Sequence, residues 1–272
     1  EVVALVVQAA VAAVGQEHTA EITSHVDDRV IATELIGGGT MPQPGEVSLA
    51  HHGVLFLDEL TEFRRDVLEG LRQPLEDRSV TVARARSCLS FPASFQLVAA
   101  ANPCPWGYMG SEQRECSCTP LSVQRYRSRL SGPLLDRLDL QIYVPAVPWR
   151  DLSSARRGEP SEAVAARVLE ARAVQLQRMA GSGVHCNAEM EPEHIDRWAR
   201  PERDGRALLE HASRTLGLSA RAYHRILRVA RTIADLEGSE VLKTHHLAEA
   251  VAYRSLDRNA PRQPKAIGEW GR

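Results

Sequence analysis

Four apolar residues run straight into two adjacent acids in Val54-Leu55-Phe56-Leu57-Asp58-Glu59, the segment of this sequence best suited to chemistry. A short, wholly apolar run is the pattern of a strand buried on both faces of a parallel sheet. Carboxylates at its end are costly unless they serve a ligand at the sheet's carboxyl edge, where open α/β sheets bind theirs. An Asp there can hold Mg²⁺ through water, and the adjoining Glu can orient and polarise a water for attack on a γ-phosphate. An ordinary strand end with an acidic helix start reads the same way, since Asp and Glu favour a helix's first turn. A second apolar run, residues 96–101, ends at Asn102-Pro103. A side-chain amide at that edge can hydrogen-bond a water or a γ-phosphate oxygen, although an Asn before Pro is also a common turn residue. Beside Asp58 and Glu59, Asn102 fits the role of a sensor.

These groups need a scaffold that holds the two strand ends together. Thr61 can cap a helix whose apolar positions Phe63, Val67, Leu68 and Leu71 recur at helical spacing, with a stop near Pro74. Alternation in 79–82 and 88–91 predicts a β-hairpin, carrying Arg84 and Arg86 near its tip. Residues 140–144 form a further apolar run closed by Pro145 and Pro148, which predicts a third buried strand. Strands alternating with helices indicate a doubly wound α/β sheet. After Trp149 the composition changes, and helical periodicity marks 163–179, 205–216, 219–236 and 244–254. Gly37-Gly38-Gly39 with Pro42, Pro44 and Gly45 marks a loop, and 2–14 can form a helix or a buried strand.

The 272 residues include 33 Lys and Arg against 35 Asp and Glu, a balance that by itself announces no nucleic-acid partner. Arg125, Arg127 and Arg129 form a local cluster that reads first as a solvated face. No apolar run approaches the roughly 20 residues of a membrane span. Five cysteines in a chain this long do not suggest a disulfide framework, and a cytoplasmic setting is expected.

Several long motifs together resemble the ComM/YifB family of magnesium chelatase-like AAA+ ATPases. They are Pro44-Gly45-Glu46 through Ser48-Leu49-Ala50-His51-His52, Arg72-Gln73-Pro74-Leu75-Glu76-Asp77, Asn102-Pro103-Cys104-Pro105 and the run from Leu130 to Leu140. Leu218-Ser219-Ala220-Arg221-Ala222-Tyr223 and Arg231-Thr232-Ile233-Ala234-Asp235-Leu236 match the family's carboxy-terminal part. The resemblance implies an unmatched segment 1–34, a partial AAA+ core over 35–149, an all-α domain over 150–256 and a loose tail 257–272. It implies ATP and Mg²⁺ as cofactors, a ring oligomer of hexameric type, and ATP-driven branch migration of DNA. It gives Asp58 and Glu59 the Walker B roles and Asn102 that of sensor 1. Arg137 becomes an arginine finger acting on a neighbouring subunit's γ-phosphate, and Arg221, in the first turn after Ser219, becomes sensor 2. The Arg84/Arg86 hairpin becomes a DNA-facing loop. A protein-remodelling ATPase close to the chelatase subunits, or a non-catalytic interaction module, remains the alternative.

Three departures qualify the match. No Gly-x-x-x-x-Gly-Lys-Ser/Thr occurs, and Gly37-Gly38-Gly39-Thr40 lacks the lysine of a phosphate-cradling loop. A Pro-His-His-Ser-like segment expected around residues 23–28 is also missing, so a truncated or partial sequence, inactive by itself, is the expectation. Relatives often carry four cysteines where this chain has Cys104, Cys116 and Cys118, with Trp106 in place of the second. Zinc is therefore not expected, and neutral, partly buried thiols are.

Overall fold

The structure is a computed structural model that describes residues 19–22, 32–39, 42–84, 87–111, 114–144, 147 and 158–254. The expectations for 2–14, 23–28, Arg86 and the tail 257–272 lie outside the described residues. β1 (Thr19–Ile22), β2 (Val54–Leu57) and β5 (Gln96–Ala99) form a parallel sheet in the order β1-β2-β5, with Val54 opposite Thr19 on one side and Gln96 on the other. β2 is the central strand. Successive side chains of a strand face opposite sides. Leu55 and Leu57 accordingly enter a core with Leu35, Val47, Val67, Leu68 and Leu71, while Val54 meets Val98 on the other face. Burying each such leucine is worth about 1.5–3 kcal/mol, enough to fix β2's register and with it the place where Asp58 and Glu59 emerge.

Parallel neighbours need a crossover. Between β2 and β5 it consists of α1 (Arg65–Gly70), α2 (Arg72–Asp77) and the antiparallel hairpin β3 (Ser79–Arg84) and β4 (Ser87–Pro92). The helix after β2 begins at Arg65, preceded by a 3₁₀ turn Leu60–Glu62, so Thr61 does not cap it. Nor does Pro74 end a helix. Leu71 closes α1 and opens α2, and Pro74 sits in the first turn of α2, where a missing N–H leaves no bond unmade.

The predicted strand over 140–144 is not formed; of these residues only Gln141 makes a bridge, to Arg254. The apolar run there has exposed members, Leu140 and Ile142. Before it come α3 (Pro120–Arg127) and a single turn, Gly132–Leu135.

The carboxy-terminal helices are α4 (Ser161–Arg178), α5 (Pro192–Trp198), α6 (Arg203–Leu216), α7 (Ala220–Leu236) and α8 (Thr244–Ala252). Four are legible from periodicity; α5 is too short for that signal. α7 is the central helix: Ile226, Leu227, Ala230 and Ala234 lie in one core with Met179, Met190, Ile195, Leu209 and Leu247. Gly205 belongs to this packing, since a Cβ there would stand 2.5 Å from Leu247. The helices join the α/β part through the Gln141 amide, which donates to the Tyr253 carbonyl at 2.8 Å, and through Arg225 with Asp139 at 2.5 Å.

Just past α7, the Glu237 carboxylate accepts from His245 at 2.7 Å and from His246. These bonds pull its pKa from 4.5 down to about 2. A depressed carboxylate stabilises the fold above its unfolded pKa and loses that contribution as pH falls through the folded value. The melting-temperature gap between the chain and Glu237→Gln should therefore be level above about pH 4.5 and close toward about pH 2. A gap independent of pH across that window would show that the contact does not depend on ionised Glu237.

Candidate functional site

The two strand ends meet as their apolar runs require. The Leu60 amide donates to the Ala100 carbonyl at 2.7 Å, holding the turn after β2 against the turn after β5. Glu59 is thereby placed beside Asn102, and both line one cavity of about 610 Å³. Glu59 adopts φ 49° and ψ 45°, a left-handed conformation that costs a non-glycine residue about 1–3 kcal/mol and is typical of functional turns. The Asp58 carboxylate accepts the Glu59 amide through Oδ1 at 2.8 Å, which steadies that turn. Asp58 stands at the strand end but is not part of the cavity wall.

The other side of the cavity comes from α3 and the residues after it. Arg125, Tyr126 and Arg129 line it with Glu62, Thr119 and Ser122. Thr119 caps α3 by accepting the Ser122 amide, and Pro120 follows at the first helical position. Arg129 donates to the Thr61 carbonyl at 2.7 Å and to Glu62 at 3.0 Å, drawing α3 onto the turn after β2. Burial pushes the Tyr126 hydroxyl above its ordinary pKa. The cavity thus sets two guanidinium groups against two carboxylates and one amide. From sequence alone the arginine cluster reads as a solvated face, and helical spacing gives no signal for Arg129, which follows α3 instead of lying on it.

The remaining expected site residues gather elsewhere. Glu76, in α2, accepts from Arg137 and, at 3.0 Å, from Arg221. The Arg137 bond is the largest cause holding the Glu76 carboxyl below its ordinary value. Arg137 is buried and also donates to the Pro133 carbonyl at 2.7 Å, so its partner is Glu76 rather than Asp136 or Asp139. Ser219 caps α7 by accepting the Ala222 amide at 3.1 Å, which leaves Arg221 in the first turn, largely exposed. Neither arginine lines the cavity of Glu59 and Asn102. Arg84 ends β3 with Ser87 opposite.

Two clusters of metal-ligand type occur among the described residues. In Glu237, His245 and His246, Nδ1 of His246 accepts the Lys243 amide at 3.1 Å, so its Nε2 carries the proton donated to Glu237. In the other, Cys104, Cys116 and Cys118 place their sulfurs within 4.8 Å of one another. Burial raises the Cys104 thiol, but hydrogen bonds from the Met109 amide, from Cys116 and Cys118 and from the Trp106 amide outweigh it and hold the thiol below its ordinary value.

A parallel α/β sheet with acids and an amide at its carboxyl edge, followed by a helical part, defines the class of the chain. Residues 6–152 match the family model described as magnesium chelatase, subunit ChlI, and residues 158–254 match its C-terminal counterpart. The chain belongs to this family, as a ComM/YifB-like member. The first match reaches into the segment 1–34 that the motifs left unassigned. Competence protein ComM of Haemophilus influenzae is 50% identical over 226 residues, covering 82% of this chain and 43% of the relative. YifB of Escherichia coli is 46% identical over 228 residues, covering 83% of this chain and 44% of the relative. The chain therefore spans less than half the length of these relatives. Among the described residues, no helix is long and apolar enough to cross a membrane.

Proposed function

We propose that this chain carries the hydrolytic edge and the arginine edge of an AAA+ ATPase ring, hexameric and cytoplasmic, that migrates branched DNA during recombination. The observation that carries the reading is Glu59, on a strained turn, sharing one cavity with Asn102 at the ends of adjacent parallel strands. Mg²⁺ bound through carboxylates and phosphates would find Asp58 there, one of whose oxygens is not taken by the Glu59 amide. Mg²⁺ would neutralise phosphate charge. Glu59 would orient the attacking water, and Asn102 would hold that water or a γ-phosphate oxygen. Arg137 and Arg221 would serve a nucleotide held by the neighbouring subunit, being gathered at Glu76 and not at this cavity. Positioning dominates phosphoryl transfer. Because no Gly-x-x-x-x-Gly-Lys-Ser/Thr occurs in these 272 residues, turnover needs a phosphate loop from outside them. The competence name of the Haemophilus relative favours DNA as the substrate. The chelatase name of the family favours a protein partner as the second reading.

The two readings separate on salt. In a longer protein that includes this chain and a phosphate loop, DNA should stimulate phosphate release. Replacing Arg84 and Arg86 by Ala should flatten the dependence of log affinity on log salt. The expected change is roughly 0.9 for each phosphate no longer neutralised on duplex DNA, or 0.7 on single strands. Binding should weaken alike across sequences. An unchanged slope removes the hairpin from the DNA path, and stimulation by a protein but by no DNA favours remodelling.

A further inference from the structure

The loop between β5 and α3 reverses on itself so that the Cys104 thiol converges on those of Cys116 and Cys118. Cys104 and Cys116 place their sulfurs 3.5 Å apart, and the Cys118 amide donates to the Cys116 sulfur at 3.5 Å. Tetrahedral zinc–thiolate bonds of ~2.3 Å set sulfurs about 3.8 Å apart, close to this spacing. The turn Cys104-Pro105-Trp106-Gly107 is closed by the Gly107 amide on the Cys104 carbonyl at 2.9 Å, with Gly107 at φ 76°. That closure lets the Trp106 and Met109 amides donate to the Cys104 sulfur.

We propose that Cys104, Cys116 and Cys118 hold one zinc-class divalent ion as three thiolates, with the fourth position left to water or an external ligand. Binding releases the thiol protons to solvent, and three thiolates with a 2+ ion leave a net charge of −1. Positive groups border the loop. Arg127 donates to the Pro103 carbonyl at 3.4 Å and approaches the Met109 sulfur at 3.7 Å, and Arg114 lies 4.4 Å over the Tyr108 ring. Among the described residues no fourth Cys, His, Asp or Glu joins the cluster; Glu112 and Gln113, in the same loop, lie outside them. The ion staples the segment that joins Asn102 to α3, and so fixes the wall carrying Arg125 and Tyr126 relative to Asn102. The loop closes the gap in sequence: Cys104 lies 12 residues from Cys116, yet their sulfurs are 3.5 Å apart.

The test uses the 272-residue chain, reduced and stripped of metal, titrated with Co²⁺ and then Zn²⁺. One Co²⁺ per chain should bind with sulfur-to-cobalt charge-transfer absorption, and one Zn²⁺ should displace it. Cys104→Ser should lower Zn²⁺ affinity by more than the roughly 10–100-fold that loss of an outer partner costs. Should that buried position fail to fold, Cys118→Ser, judged folded by circular dichroism, carries the same expectation. Cys88→Ser and Cys186→Ser should leave one ion per chain. Absence of charge-transfer absorption, equal binding in the Cys118→Ser variant, or loss of binding in Cys186→Ser would each overturn the proposal. So would a Cys104–Cys116 disulfide persisting in the reduced protein.

Discussion

Mixing Arg137→Ala subunits with Glu59→Gln subunits, in a longer protein that includes this chain and a phosphate loop, should restore ATP turnover that neither variant shows alone. Each variant should bind nucleotide yet hydrolyse it poorly, and Arg137→Ala should lose roughly 10³–10⁵ in rate if Arg137 acts as an arginine finger. The reason for expecting rescue is geometric. Glu59 opens onto the cavity with Asn102, whereas Arg137 is buried against Glu76 and takes no part in that wall. A site completed across an interface pairs the intact Glu59 of an Arg137→Ala subunit with the intact Arg137 of a Glu59→Gln neighbour. Phosphate release measured against mixing ratio should pass through a maximum. If mixed rings are detected by cross-linking and no ratio regains activity, the shared site is wrong.

The largest stability loss should come from Asp235→Ala. Its side chain is fully buried and accepts from Arg231 Nε at 3.1 Å, from Asn187 at 2.7 Å and from Arg178 NH1 at 3.0 Å. Burial is the first cause lowering the Arg231 pKa, and Asp235 opposes it. Removing one partner from a buried ion pair costs about 3–5 kcal/mol, because the other charge stays buried without compensation. Here two guanidinium groups would be left. Urea unfolding of the 272-residue chain should therefore show a loss of that order. Replacing Arg178, Arg231 and Asp235 together by apolar residues should cost less than Asp235→Ala alone. A loss below about 1 kcal/mol would mean that water reaches the network and screens it.

The order of the two halves, the buried strands around Leu55 and Val98, the β3–β4 hairpin and four of the carboxy-terminal helices are legible in the sequence. Hydrophobic period and capping chemistry act over a few residues, and a Ser or Thr before a helix, as at Ser219, reports its partner locally. The same local grammar fails where sequence neighbours do not decide. Pro74 opens a helix instead of closing one, and the run after Leu140 forms no strand beyond the bridge of Gln141 to Arg254, two residues far apart in the chain. Asp58, Glu59 and Asn102 can be nominated from strand ends alone, because a parallel strand's carboxyl edge has one address in such a sheet. That Arg125 and Arg129 face Glu59 and Asn102, and that Glu76 gathers Arg137 and Arg221, required the folded chain. Each joins residues from separate elements. Sequence periodicity determines which face a side chain takes on its own element, but only packing of one element on another determines what that face meets.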